Sequence, residues 1–507
     1  MPLGPNGRRP LASVSVAHLL AIDAGTTSVR ALVIDERCRV LDVSARALPQ
    51  RYPRPGWVEQ DAHELWTLTQ ATVAEVSERH QGPFAGIGIT NQRETVVAWN
   101  RSEGNVLAPA LGWQDQRTAA RCAELRAEGA LGLVRRRTGL VLDPYFSATK
   151  MAWLLEQGIE TKDLALGTVD AWLLWNLTGG TAGGVFATDT TNAARTALYD
   201  LDDDGYADDL SELFGVPRRF LAEIRPSCGR FGSVSAEGLR ALAGTPISGI
   251  MGDQHAALFG QCCFERGMAK ATYGTGAFVL SQQGTERPST HEGLLTTMAW
   301  DLGARGGRSF SLEGSAFIAG AAISWLRDQL GIISDPSELE ELALGASGAG
   351  GMSFIPAFVG LGSPWWDDTA SGALVGITRG SGRAQVAQAV IDALCFEVRA
   401  ITDAMAEGAS SALRSLRADG GAAAMDLLLE RQATQSNVLV ERAANLEATA
   451  TGVAMMAGLA EGTFDSLDQL SALWEAERRF TPAGDLDAAE DAYHAWLEAL
   501  ERARSWR

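Results

Sequence analysis

The chain has 507 residues, more than one ordinary hydrophobic core sustains, since single cores stop growing at roughly 250–300 residues; two or more domains are therefore expected. With 46 % hydrophobic and 21 % charged residues, the composition excludes a disordered protein. Lys and Arg total 43 against 62 Asp and Glu, and the resulting net charge of −19 argues against nucleic acid as a partner and leaves any anionic ligand to local cations and amides.

Residues 1–17, rich in Pro, Gly and Arg, read as a flexible leader. Arg8 and Arg9 ahead of the apolar stretch 11–22 imitate a secretion signal, but His18 interrupts the run and Asp23 stands where cleavage would fall. Residues 19–22 are therefore expected to form a buried strand, and the protein to be cytoplasmic. No apolar stretch reaches the ~18–20 residues that span a bilayer, so no membrane insertion is expected. Residues 17–35 predict a strand, a Gly-Thr-Thr turn and a second strand, and 85–90 a further strand. Helical periods follow at 119–127, 149–156 and 169–177, the last stopped by Thr178-Gly179-Gly180.

Near Gly260 the scheme restarts. Residues 268–281 again predict strand, Gly-Thr-Gly turn, strand, and helices are expected at 316–330, 383–407 and 425–434. A third glycine turn is Asp419-Gly420-Gly421. Two α/β domains, 18–260 and 261–507, each opening on a hydroxyl-rich hairpin, are expected to face each other across a ligand cleft. The six cysteines fit neither a zinc site nor a redox pair and are expected to be reduced core thiols.

The turns carry chemistry. In Asp23-Ala24-Gly25-Thr26-Thr27-Ser28, glycine allows close backbone approach to a phosphate, while amides and hydroxyls donate to it. Arg30 supplies a charge nearby, and Asp23 is a candidate ligand for magnesium, through water. Tyr273-Gly274-Thr275-Gly276 and Asp419-Gly420-Gly421 repeat the pattern. Any one of these is an ordinary tight turn; three together fit a nucleotide clamped between domains. No Walker lysine is present in such a turn.

Two longer stretches, 145–157 (Tyr145-Phe146-Ser147-Ala148-Thr149-Lys150 onward) and 372–392 (including Gly376-Ile377-Thr378-Arg379-Gly380), resemble the signatures of the FGGY carbohydrate kinases. Gly88-Ile89-Thr90-Asn91-Gln92-Arg93-Glu94-Thr95 and Gly252-Asp253-Gln254-His255 resemble the members of that family that act on glycerol. The resemblance runs from about Leu19 to Pro482. It implies two ribonuclease H-like, actin-like ATPase domains around a central cleft, with ATP and Mg2+ as cofactors. It implies Asp253 as catalytic base, and Arg93, Glu94, Trp113, Tyr145, Asp253, Gln254 and Phe278 as polyol contacts. It implies Thr26, Thr27, Ser28, Arg30, Thr275, Gly320 and Gly421 as nucleotide contacts, with Asp23 at the metal. The expected activity is phosphorylation of glycerol to glycerol 3-phosphate, with a homo-oligomer as a possible assembly. The chemistry suits those residue types: Arg93 donates to hydroxyls, Glu94 accepts, Gln254 does both, and Trp113 and Phe278 cover C–H faces.

Departures from the family pattern are Ala24 in place of Gln, Met425 in place of Asn and Ser371 in place of Arg. Some members bind fructose 1,6-bisphosphate through an Arg where this chain reads Gly244-Thr245-Pro246. Alternative readings are a kinase for a tetritol or ketose, which the Arg93-Glu94 pair and Trp113 disfavour, and a noncatalytic actin-like ATPase, which Asp253 disfavours.

Overall fold

A computed structural model describes residues 18–80, 82–159, 161–289, 291–408 and 412–504; the leader expected at 1–17 lies outside them. The strand His18–Ala24 is an almost continuous apolar run, buried on both faces, and this suits the centre of a mixed sheet. It pairs antiparallel with Ser28–Ile34 and parallel with Phe84–Asn91. The finished sheet has six strands in the order Cys228–Ser233, Pro246–Gly252, Phe84–Asn91, His18–Ala24, Ser28–Ile34, Val40–Ala47.

The second sheet repeats this plan. Met268–Tyr273 pairs antiparallel with Ala277–Gly284 and parallel with Ser415–Asp419. From Arg308–Ala316 through Ala277–Gly284, Met268–Tyr273, Ser415–Asp419 and Leu439–Ala443 to Ala476–Phe480, the succession of parallel and antiparallel pairings matches that of the first sheet. Leu295–Asp301 adds a seventh strand at the edge. The weak internal repeat read in the sequence is thus a repeat of topology.

The halves are bound together by close helix packing. The helix Ala448–Glu461 lies in sequence between two strands of the second sheet, Leu439–Ala443 and Ala476–Phe480, but packs on the first, where a Cβ at Gly88 would fall 2.3 Å from Val453 O. It crosses the helix Asp253–Gly260 so closely that a Cβ at Gly452 would collide with Ala256 O and one at Gly260 with Ala448 O. Only glycine admits such contact.

Helices at Ala119–Ala127, Ser147–Glu156, Val169–Leu177, Arg383–Gly408 and Asp426–Ser436 agree with the sequence reading to within about two residues. The helix expected at 316–330 is shorter, Gly320–Asp328. Ala316 ends a strand instead, because its apolar neighbours alternate across a buried sheet before the helical period begins. All six cysteines are buried free thiols. Among the described residues no helix is long and apolar enough to cross a membrane.

Candidate active site

A cleft of about 1600 Å³ lies between the halves. Its walls include Thr26 and Thr27 from the first hairpin turn, Thr275 and Gly276 from the second, and Trp113, Tyr145, Asp253, Gln254 and Phe278. The first turn is tight because the Gly25 amide donates to Ser28 O at 2.9 Å, which leaves the Thr27 side exposed. The second turn is clasped by the helix behind it: Gly320 N donates to Gly274 O at 2.8 Å, and Ala319 N to Thr275 O at 2.8 Å. The third turn abuts the same place, since a Cβ at Gly420 would lie 2.5 Å from Tyr273 O. Gly274, Thr275, Gly320, Gly420 and Gly421 therefore form one continuous backbone surface at the end of the second sheet, which brings together residues far apart in sequence.

The two sets of predicted contacts touch directly. Trp113 Nε1 donates to Thr26 Oγ1 at 3.0 Å, and its ring packs edge-on against Tyr145 and Phe278 at centroid distances of 5.6 and 6.5 Å. The indole thus joins the aromatic wall to the first hydroxyl turn. Asp253 is the first residue of the helix Asp253–Gly260, and its carboxylate accepts from the Gln254 amide at 2.7 Å. Its side chain is 28 % exposed to the cleft. Crowding by protein in place of water holds its carboxyl above the ordinary carboxylate range, and Arg93, the Gln254 amide and Lys270 partly offset that.

Arg93 and Glu94 are buried behind this wall, at 2 % and 1 % exposure, so they are no surface pair. Arg93 Nε lies 3.4 Å from Asp253 Oδ1, and Nη2 donates to the Tyr145 hydroxyl at 3.2 Å. Glu94 takes φ +62°, a conformation that turns its carboxylate inward, where Oε1 accepts from Arg195 Nε at 2.6 Å.

Beside the first hairpin turn, Arg30 is held on both flanks. It donates to Asp23 Oδ2 at 2.6 Å and to Glu447 Oε2 at 2.7 Å, so its position is fixed by both halves. Asp23 has one oxygen in that pair. Burial raises its carboxyl pKa, and Arg30 opposes the rise. No group of three or more His, Cys, Asp or Glu capable of caging a metal occurs among the described residues. The donor set suits a magnesium ion carried in on phosphates and water, with one carboxylate behind it, and does not suit a resident metal.

Around the cleft residues, four buried charged side chains were given no role by the sequence. Arg195 and Glu313 complete the Arg93–Glu94 cluster. Lys270 donates to Gln254 Oε1 and to Thr272 Oγ1, which fixes the Gln254 amide so that its NH2 is left for a ligand; burial brings the ammonium down to about 8. Lys150 donates to the carbonyls of Pro144, Tyr145 and Phe146 at 2.7–3.0 Å and shapes the loop that carries Tyr145; burial likewise lowers it to about 8. The available signal was a lone charge inside an apolar strand, as in Met268-Ala-Lys270-Ala and Leu312-Glu313-Gly314.

Two topologically equivalent sheets, glycine turns from both halves and a carboxylate poised in the cleft between them define a two-lobed phosphotransferase for small molecules. The N-terminal domain of the FGGY family of carbohydrate kinases matches residues 18–260, and its C-terminal domain matches residues 269–461. The chain belongs to the FGGY family of carbohydrate kinases. It is 46 % identical to a glycerol kinase of Halorhodospira halophila, over 96 % of this chain and 97 % of that one, and 44 % identical to a glycerol kinase of Shewanella pealeana, over 97 % and 100 %. Its fold superposes on that of Plasmodium falciparum glycerol kinase with ADP at a TM-score of 0.91, with 31 % identity over 96 % of this chain and 98 % of that one. A xylulose kinase of Lactobacillus acidophilus shares the fold at 0.88 with 18 % identity. The protein is therefore a kinase, and its family makes ATP a substrate.

Proposed function

We propose that this kinase transfers the terminal phosphoryl group of ATP to a primary hydroxyl of glycerol, giving glycerol 3-phosphate. The observation that carries this reading is that one cleft is lined by Asp253, the aromatic pair Trp113–Phe278 and both hydroxyl-rich turns. Similarity to glycerol kinases along nearly the whole chain supports the choice of acceptor.

In this reading Trp113 and Phe278 cover the acceptor's carbon face and exclude water, while Arg93, Glu94, Tyr145 and Gln254 sort its hydroxyls by donor and acceptor character. Asp253 takes the proton of the attacking hydroxyl, and its raised pKa makes it a better base than an ordinary carboxylate. The hydroxyl oxygen forms a bond to the terminal phosphorus as the bridging bond to ADP breaks, and the electron pair stays on the ADP oxygen. Thr26, Thr27, Ser28 and Arg30 from one half, and Thr275, Gly320 and Gly421 from the other, hold the phosphates and nucleotide. Asp23 is the residue that would hold magnesium, which when bound neutralises phosphate charge. The boundary near Gly260 would serve as the division between the acceptor-binding and nucleotide-binding domains.

The test is ADP release measured with glycerol, with a panel of tetritols and ketoses, and with no acceptor. The expected result is turnover that requires an acceptor, with the highest kcat/KM for glycerol. A higher kcat/KM for another acceptor, or equal ADP release without one, overturns the assignment.

A further inference from the structure

Behind the acceptor wall a set of buried charges closes on one residue of the other half. Glu313 sits in the middle of the strand Arg308–Ala316, in the second sheet, and is fully buried. Its carboxylate is divided between two guanidinium groups. Oε2 lies 2.7 Å from Arg93 Nη1, while Oε1 lies 2.9 Å from Arg93 Nη2 and 3.1 Å from Arg195 Nη2. Arg93 continues to Asp253 and Tyr145, and Arg195 continues to Glu94. Arg93, Glu94, Tyr145, Arg195 and Asp253 all come from the first half of the chain, and only Glu313 comes from the second. The two flanking cations hold the Glu313 carboxyl far below the ordinary carboxylate range, so it is a permanent anion.

The charge balance shows what Glu313 does. Three cations, Arg93, Arg195 and Lys270, face three carboxylates, Glu313, Glu94 and Asp253, and of these six only Asp253 is open to the cleft. His255 on the neighbouring helix stays neutral, because burial and the surrounding guanidinium groups disfavour its proton. If Glu313 loses its charge, the two guanidinium groups repel each other without an intervening anion. The Arg93 Nη groups then turn to the next nearest anion, Asp253, which Nε already approaches at 3.4 Å, and Arg195 Nη2 turns to Glu94, which Nε already holds. The second oxygen of each carboxylate is then taken by a protein cation instead of an acceptor hydroxyl.

We propose that Glu313 is a positioning residue for the acceptor. It does not contact the acceptor, but from the opposite half it takes up Arg93 Nη1 and Nη2 and Arg195 Nη2, so that Arg93 meets Asp253 only through Nε at Oδ1 and Arg195 meets Glu94 only through Nε at Oε1, and the second oxygen of each carboxylate is kept for the acceptor's hydroxyls. This rests on the reading of the cleft as a polyol-phosphorylating site. A corollary is that the acceptor site is complete only when the two halves are seated as they are here.

The experiment compares full-length wild type, Glu313→Gln and Glu313→Asp in steady-state kinetics, varying acceptor and ATP separately, with circular dichroism as the check on folding. Glu313→Gln keeps the shape and removes the charge; Glu313→Asp keeps the charge with a shorter reach. The expected result is a fall of about 100-fold in kcat/KM for the acceptor in Glu313→Gln, largely in KM, with KM for ATP changed less than about threefold. Glu313→Asp should recover roughly tenfold of that loss. Equal losses for acceptor and ATP, an unchanged acceptor KM, or an Asp variant no better than the Gln variant would overturn the proposal. If Glu313→Gln does not fold, Glu313→Asp decides alone: a loss confined to the acceptor supports the positioning role, and a loss shared with ATP overturns it. Should wild type prefer another polyol to glycerol, the choice of acceptor made above fails, and the same comparison is made on the polyol it does phosphorylate.

Discussion

Adding one methyl group at Gly320 and, separately, at Gly421 tests whether the glycine surface is a nucleotide seat. A Cβ on Gly320 would lie 2.6 Å from Gly274 O, a separation that real Cβ atoms do not show. The clasp between the second turn and the helix Gly320–Asp328 must part by about 0.4 Å to restore even a 3.0 Å contact, and a backbone carbonyl has no rotamer by which to yield. Opening it strains the three hydrogen bonds from Ala319, Gly320 and Ala321 to the turn. Overpacking of this kind costs about 1–3 kcal/mol, equivalent to roughly a 5- to 150-fold loss if it is all expressed in binding. At Gly421 a Cβ meets nothing within 4 Å, and its φ is one any residue adopts. Gly320→Ala should therefore lower both thermal stability and ATP affinity. Gly421→Ala should leave the melting temperature unchanged while raising KM for ATP, because only a bound nucleotide fills the space in front of it. Glycerol KM should hold in both. The assays are thermal unfolding without ligand and kinetics with ATP varied at saturating glycerol. A Gly421→Ala enzyme with wild-type KM for ATP would remove that residue from the nucleotide site, and a Gly320→Ala enzyme with wild-type stability would refute the steric argument.

Asp253→Asn should lower kcat by about 10²–10⁴ with no loss of stability, since the crowding that raises its carboxyl pKa also accepts a neutral amide; near-normal turnover would exclude it as the base. Glu94→Gln should raise glycerol KM at least about tenfold with little effect on ATP, as the residue left facing Arg195 no longer carries charge; titration calorimetry with glycerol and with a nonhydrolysable nucleotide checks it. Asp170 is fully buried and accepts from Thr168 and Thr188 at 2.6 Å, and burial raises its pKa to about 7. Its folded pKa lies above the unfolded one, so the stability it supports is present below about pH 4 and is lost as pH rises through 7. Asp170→Asn should therefore gain on wild type by up to about 4 kcal/mol between pH 4 and 8 in urea unfolding, and a difference independent of pH would contradict the assignment. Fructose 1,6-bisphosphate should not inhibit at low salt: the Gly244-Thr245-Pro246 turn carries no guanidinium, and the nearby Arg240 is exposed beside Glu237. Saturable inhibition lost in Arg240→Ala would show that an altered effector site exists.

The hairpins, their turns and most helices were legible because each writes a local pattern: period two in the strands, period near 3.6 in the helices, glycine and threonine between. The start of the helix at Gly320 was not, because the apolar run before it serves equally as strand or helix, and only the neighbouring strand Ala277–Gly284 decides that Ala316 belongs to the sheet. The cleft-wall residues were recognisable from motif context. Glu313 and Arg195 were not, because their meaning is pairwise: Glu313 lies 220 residues from Arg93 and 118 from Arg195, and nothing local to either shows that they meet. The placement of the helix Ala448–Glu461 on the first sheet was hidden in the same way, and the glycines that permit it look like ordinary small residues in a helix.

The buried thiols have a practical consequence. Four of them, Cys38, Cys228, Cys262 and Cys263, share one apolar core, while Cys395 lies in the core of the second sheet. Dense packing pushes Cys228 up to about 11 and Cys38, Cys262 and Cys263 to about 12, so at neutral pH none offers the thiolate that alkylating and disulfide reagents require. The intact molecule should scarcely react with such reagents, and each sulfur becomes a timestamp for the moment its surroundings open. Mass mapping of which cysteines are tagged first, with and without bound substrates, would then show which half of the kinase breathes and which half the nucleotide clamps shut.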